Sequence, residues 1–221
     1  MAIAPVNKFI TIAVPVAPGE QTIYSTPTGV SAIILYAQVA NVAAGTTYPS
    51  ITFTHRRKSN RTNNIRNIRV LKGTEVPPND NLIIIDGRLV LERTALISDS
   101  VVIEGTQTGI VTVTNCLYDN NTGITTITTL TPHNFSEGNE ITMSGLAFTC
   151  SSGSIGLTTT IYPSPQASFT VTSISGSVGT SLTFTTNTGS IPGIAHTYVS
   201  GGKVAPLQME FICSILENST V

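Results

Sequence analysis

An all-β protein of two sandwich- or barrel-like modules, the second inserted in a hairpin of the first, is what this 221-residue sequence predicts. Three observations lead there. Charged residues are only 10% of the chain, against about 25% in an average soluble domain. Thr and Ser together supply about a quarter of it, and Thr suits a strand because it is β-branched and keeps a hydroxyl for water. Short Val/Ile/Thr-rich runs recur, separated by Gly, Pro and Asn turn signals at about 8–12-residue intervals, the pattern of sandwiches and small barrels. The same figures exclude other classes. A net charge of −1 with plentiful β-branched residues excludes a disordered chain. The Ala/Glu/Lys/Leu richness of helical bundles is missing. A pI near 6.3 argues against an overall basic nucleic-acid binder.

The first module reads as strands from its start. Residues 9–16 are apolar with partial alternation, and Pro15 and Thr11 break what could pass for a signal sequence. After a turn at 17–19, a strand resumes over 21–24, and 26–29 turn again. The run AIILYAQV at 32–39 fits a central strand buried on both faces. SITFTH at 50–55 alternates, with Ile51 and Phe53 on one side. RRKSNRTNN at 56–64 has the composition of a hairpin loop, with Ile65, Ile68 and Val70 on the return strand. PPND at 77–80 is a turn. Residues 82–86 and 89–91 suggest a hairpin about Gly87, and 98–103 alternate once more.

Charge then changes abruptly. Nine of the eleven Lys and Arg residues lie from Arg56 to Arg93, and none lies between Gly105 and Gly202. Strands are expected at 110–118 and 124–130 around the turn DNNTG, then at 141–144, 157–162, 168–174, 182–186 and 196–199. The last apolar run, LQMEFICSIL at 207–216, matches the first module in composition, with Gly201, Gly202 and Pro206 before it as a linker. The expected organisation is therefore a base domain of 1–108 plus 204–221, which docks, and a Thr/Ser/Gly-rich module of 109–203, which projects. The insertion lies between strands near 98–104 and 207–216. Loop-closure cost grows slowly with length, so such an insertion is tolerated. The terminal strands are candidates to add to a neighbour's sheet edge.

Catalytic chemistry finds little support. His55, His133 and His196 are scattered, and no C-x-x-C or H-x-x-x-H spacing exists for a metal. His133, in PHNFSEG, reads as a turn residue capping a strand end. Ser154 lacks a G-x-S-x-G elbow. Glu137 and Glu140 are the carboxylates a depolymerase would need, and they read as solvated. Cys116, Cys150 and Cys213 form no framework and read as small buried hydrophobes. No cofactor is expected. The one charged cluster is Arg56, Arg57, Lys58, Arg61, Arg66 and Arg69. No aromatic residue is interleaved for base stacking, so against a nucleic-acid contact the cluster reads as a solvated hairpin or a face for docking on an acidic protein surface. Carbohydrate binding would rely on aromatic platforms, for which Tyr118, Phe135 and Tyr162 are the candidates.

Three stretches carry a resemblance: NKFITIAVPVAPGEQTIYSTPTGVSAIILYAQVANV through ITFTHRRK; EVPPNDNLIIIDGRLVLERTALISDSVVIEG; and TLTPHNFSEGNEITMSGLAFTC with HTYVSGG and EFICSILE. They resemble virion structural proteins of contractile-tailed phages (myoviruses) of marine cyanobacteria. The resemblance implies a non-enzymatic structural protein, located in the virion and assembled in the host cytoplasm. It would be a decoration or appendage component on the head, collar/neck or tail, a homo-oligomer partnered by other capsid, neck or tail proteins, with neither nucleic acid nor membrane as partner. The rival within that family is a tail-fibre or baseplate accessory, and outside it a carbohydrate-binding module, contacting the host surface.

Overall fold

A computed structural model describes residues 6–152, 155–161, 167–190 and 194–219. It is all-β, as expected. Among the described residues no helix is long and apolar enough to cross a membrane. The chain divides into two compact units, one of Met1–Val16, Glu20–Thr106 and Gln208–Val221, the other of Ala17–Gly19 and Gln107–Leu207.

The first unit is built from β1 (Val6–Pro15), β2 (Gly19–Ser25), β3 (Val30–Asn41), β4 (Ser50–Ser59), β5 (Ile65–Glu75), β6 (Asn81–Glu92), β7 (Ile97–Thr106) and the last strand of the chain, β17 (Met209–Ser219). They form two four-stranded sheets, ordered β1-β17-β3-β6 and β2-β7-β4-β5. Counted along this unit, the orders are 1-8-3-6 and 2-7-4-5, the topology of an eight-stranded jelly roll. Strand alternation explains the core. Ile34, Ala37 and Val39 of β3, Ile51 and Phe53 of β4, and Phe211, Cys213 and Ile215 of β17 all turn inward and are buried. The rings of Phe53 and Phe211 meet at 6.0 Å between the sheets. Gly105 stands where β7 passes Val16 closely, since a Cβ there would lie 2.5 Å from Val16 Cγ1.

Three local expectations are corrected. β6 is one strand rather than a hairpin about Gly87, and it pairs along its length with β3. The strands flanking the second unit, β7 and β17, do not form a hairpin: β7 lies between β2 and β4, and β17 between β1 and β3. The physical reason is the same in both cases. Most consecutive strands of a jelly roll cross to the opposite sheet, and here only β4–β5 is a local hairpin. For that reason, too, β17 is interior and offers no free edge, whereas β1 is an edge strand.

The second unit contains β8 (Val111–Tyr118), β9 (Ile124–Thr129), β10 (Glu140–Ser144), β11 (Ala147–Ser152), β12 (Ile155–Ile161), β13 (Ser168–Ile174), β14 (Thr183–Asn187), β15 (Ile194–Ser200) and β16 (Lys203–Pro206). The pairings β8-β16-β10-β13-β14-β9 return to β8, closing a six-stranded barrel. β15, β11 and β12 continue from the far end of β8, where Leu117 pairs with Thr197. Pro206, expected with Gly201 and Gly202 as linker, ends a strand instead, and Lys203–Pro206 pairs with both β8 and β10. The barrel is filled by Ile127, Ile141, Met143, Val171, Phe184 and Val204. Closure removes sheet edges, and buried hydroxyls such as that of Thr186 bond to the neighbouring backbone, its Oγ1 donating to Thr170 O at 2.8 Å.

Candidate docking face

The basic cluster sits on the β4–β5 hairpin. β4 runs to Ser59, so Arg56, Arg57 and Lys58 are strand residues rather than the loop their composition suggests, and the turn is confined to residues 60–64. Asn63 takes a positive φ of 57° there, a conformation Asn tolerates. Alternation then separates the three neighbours. Arg57 follows Phe53 and His55 onto the inner side, while Arg56 and Lys58 face outward.

Arg57 has a specific internal partner. Its Nε and Nη2 donate to Asp99 Oδ1 and Oδ2 at 2.7 and 2.6 Å. The Asp99 side chain is fully buried and also accepts the Glu92 backbone N–H at 3.1 Å. His55 Nε2 lies 3.2 Å from Asp99 Oδ2, an ion-pair distance at which the ring is not aligned for a hydrogen bond. Burial pushes the Asp99 carboxyl up, but Arg57, the Glu92 N–H and His55 together outweigh it and hold the group below the usual carboxylate range. This two-pronged pair is what allows a charge to stand in a strand beside the core.

Arg56 is also committed. Its Nη2 donates to Glu20 Oε2 at 2.6 Å and its Nε to Asn67 Oδ1 at 2.9 Å. The remaining four behave differently. Lys58, Arg61, Arg66 and Arg69 are exposed, and among the described residues none forms an ion pair. Arg66 and Arg69 lie on β5, the edge of its sheet, beside exposed Ile65, Ile68 and Val70. Next to them is a concavity of about 220 Å³ with Lys58, Arg56, Arg93, Ser98 and Ser100 in its lining. The structure therefore splits the six cations into two that are paired within the sandwich and four that are available to a partner.

The other candidate residues are accounted for. His133 is buried, stacked on Phe135 at 5.1 Å, with Phe184 edge-on at the same distance. Its Nδ1 accepts the Phe135 N–H at 3.3 Å, and burial lowers its pKa. Phe135 is itself only 2% exposed, so it is no sugar platform. Tyr118 is half-buried and donates its hydroxyl to Gly189 O at 2.8 Å. Ser154 and Tyr162 lie outside the described residues. The three cysteines are buried and free.

One juxtaposition is invisible in the sequence. Cys150 and His196 are directly paired across β11 and β15, with the thiol in contact with Nδ1. Recognising β11 in AFTCSS was the missing signal. Burial raises the Cys150 thiol and lowers the His196 imidazole. Both shifts favour the neutral pair, the reverse of the thiolate–imidazolium state an activated nucleophile needs. Among the described residues no group of three or more His, Cys, Asp or Glu could hold a metal ion.

No family model matches the chain, and no curated protein does. Among solved structures, the STIV MCP is 8% identical with a TM-score of 0.23, over 99% of this chain and 97% of that one. The stem and receptor-binding domain of the spike protein P1 from bacteriophage PM2 is 9% identical with a TM-score of 0.21, over 99% of each. The tandem CBM22 domain of Paenibacillus barcinonensis Xyn10C is 7% identical with a TM-score of 0.22, over 98% of this chain and 94% of that one. Similarity at this level carries no argument about the role of the chain.

Proposed function

We propose that this chain is a non-enzymatic structural protein of a virion, in keeping with its resemblance to structural proteins of cyanophage myoviruses. It would sit on the head, collar/neck or tail, with the jelly roll docked and the barrel carried outward. The observation that carries the reading is the jelly roll with a sheet edge bearing unpaired cations. The jelly roll is an architecture of viral capsid domains and of lectins, and fold alone does not choose between such roles. The cations favour docking: along this exposed hairpin edge Lys58 and Arg69 share one side with Ile65 and Arg66 shares the other with Ile68, a mixture suited to an acidic protein surface. Antibody labelling of purified particles tests this. Gold on the head, collar or tail shaft supports it; label confined to tail tips moves the chain to a host-contact role, and unlabelled particles refute a virion role.

A further inference from the structure

The solvent sides of the two jelly-roll sheets differ sharply. The β2-β7-β4-β5 sheet presents Arg56, Lys58, Ser98, Ser100 and Glu104. The β1-β17-β3-β6 sheet presents two mostly apolar cross-strand rows on either side of a polar one. One row runs Phe9, Leu216, Ile33, Val90 across all four strands. Phe9 is 73% exposed and Val90 49%. A parallel row, on the other side of the polar row Thr11, Ser214, Tyr36, Asp86, runs Ala13, Ile212, Gln38, Ile83, with Ile83 51% exposed. A soluble sheet face ordinarily alternates toward polar residues; a complete apolar row on the outside marks a covered surface.

We infer that this face packs against the same face of a second copy of the chain, about a two-fold axis running across the strands through Thr11 and Ser214. The inference rests on the assembly reading above and names the surface through which copies meet. Its geometry sets the two apolar rows against each other. Rotation about that axis keeps each strand over its own counterpart and reverses its direction. The Phe9 row of one copy then lies over the Ala13 row of the other, placing Leu216 on Ile212, Ile33 on the stem of Gln38, and Val90 on Ile83. Phe9, the protruding side chain, falls at Ala13, which helps line a concavity of about 340 Å³ with Pro15, Ala40 and Ile212. The outermost rows also exchange, setting Asn218 opposite Glu210, while the polar Thr11, Ser214, Tyr36, Asp86 row meets itself on the axis with Asp86 at the exposed β6 edge, so each apolar band lies between polar rows. Size agrees as well. Four strands about 4.8 Å apart, over nine residues of about 3.3 Å, present roughly 600 Å² per copy and about 1,200 Å² for the pair, the lower limit of a stable specific interface. Face-to-face sheet packing is a normal solution for such surfaces.

The test is light scattering on the purified full-length chain, with cross-linking. The wild type should be a dimer. Phe9→Asp and Ile212→Lys should each shift it to monomer with an unchanged circular dichroism spectrum, while Lys58→Glu on the opposite sheet should remain a dimer. Thr11→Cys, on the axis, should be joined to its counterpart by a short bismaleimide, and Lys58→Cys should not. A monomeric wild type overturns the inference. So does a dimer that survives both face substitutions, or a Thr11→Cys chain that fails to cross-link while dimeric. Particle labelling is read independently: a monomer in solution that still labels virions overturns this inference and leaves the virion reading standing.

Discussion

Replacing Arg57 by alanine isolates the most consequential interaction of the jelly roll. Asp99 is fully buried, and two of its three hydrogen bonds come from Arg57. Removing the guanidinium leaves a carboxylate with the Glu92 N–H and the nearby His55 ring. Breaking a buried ion pair on one side costs about 3–5 kcal/mol. Arg57 is 38% exposed, so water can partly replace it, and the lower end, about 3 kcal/mol, is expected. In thermal unfolding this is a fall of about 10 °C in the melting of this unit. The pH dependence carries the sign. In the wild type the Asp99 pKa is lowered, so its contribution is present above the unfolded carboxylate pKa, near 3.9, and is lost as pH falls through the lower folded value. In Arg57→Ala burial is no longer outweighed, and Asp99 is raised instead. The deficit should therefore be largest near pH 7 and shrink toward pH 4, where the buried carboxyl can protonate. Urea titrations followed by circular dichroism at several pH values measure it. Arg57→Ala/Asp99→Ala should be more stable than the sum of the single changes. A deficit below about 0.5 kcal/mol at pH 7, or strict additivity, refutes the reasoning.

Other expectations follow from the same geometry. Arg56→Ala should cost under about 1 kcal/mol, because its Glu20 partner is 51% exposed; chemical denaturation checks this. Lys58→Glu, Arg66→Glu and Arg69→Glu combined should leave the melting curve unchanged and weaken incorporation into particles, and normal incorporation removes the docking role. Gly202→Ala places a Cβ 2.5 Å from Leu146 Cδ2 at a φ of +108°; Leu146 is buried and cannot yield, so the barrel should lose about 1–3 kcal/mol in its own unfolding transition. Burial pushes the Cys116 thiol up to about 12 and Cys213 to about 11, so neither should react with a thiol reagent at pH 8 until the chain unfolds; prompt labelling of the native protein contradicts their placement.

How far the sequence reaches is clearest strand by strand. Alternation located the core of β4 through Ile51 and Phe53, and the DNNTG turn located the β8–β9 hairpin. The RRK run looks like loop because three consecutive cations look solvated; the buried Asp99 that accepts one of them lies 42 residues away. Gly202 and Pro206 bracket β16 with linker signals, although the barrel draws it in by pairing on both sides. β11 carries only a short apolar–Thr alternation in AFTCSS, and without it Cys150 and His196 could not be brought together.

By itself, the sequence determined that this chain is β-structured, poor in charge in its second module, and armed with cations in one place. Those properties are local: side-chain branching, alternation and turn chemistry act within a few residues. Only the tertiary structure decided which strands are neighbours, since in a jelly roll most hydrogen-bonded partners come from distant parts of the chain. It likewise decided which arginines are free. A guanidinium becomes a structural group or a docking group according to whether the fold brings a buried carboxylate within about 3 Å, and that distance is set by the pairing of β7 with β4 rather than by anything in the run RRK.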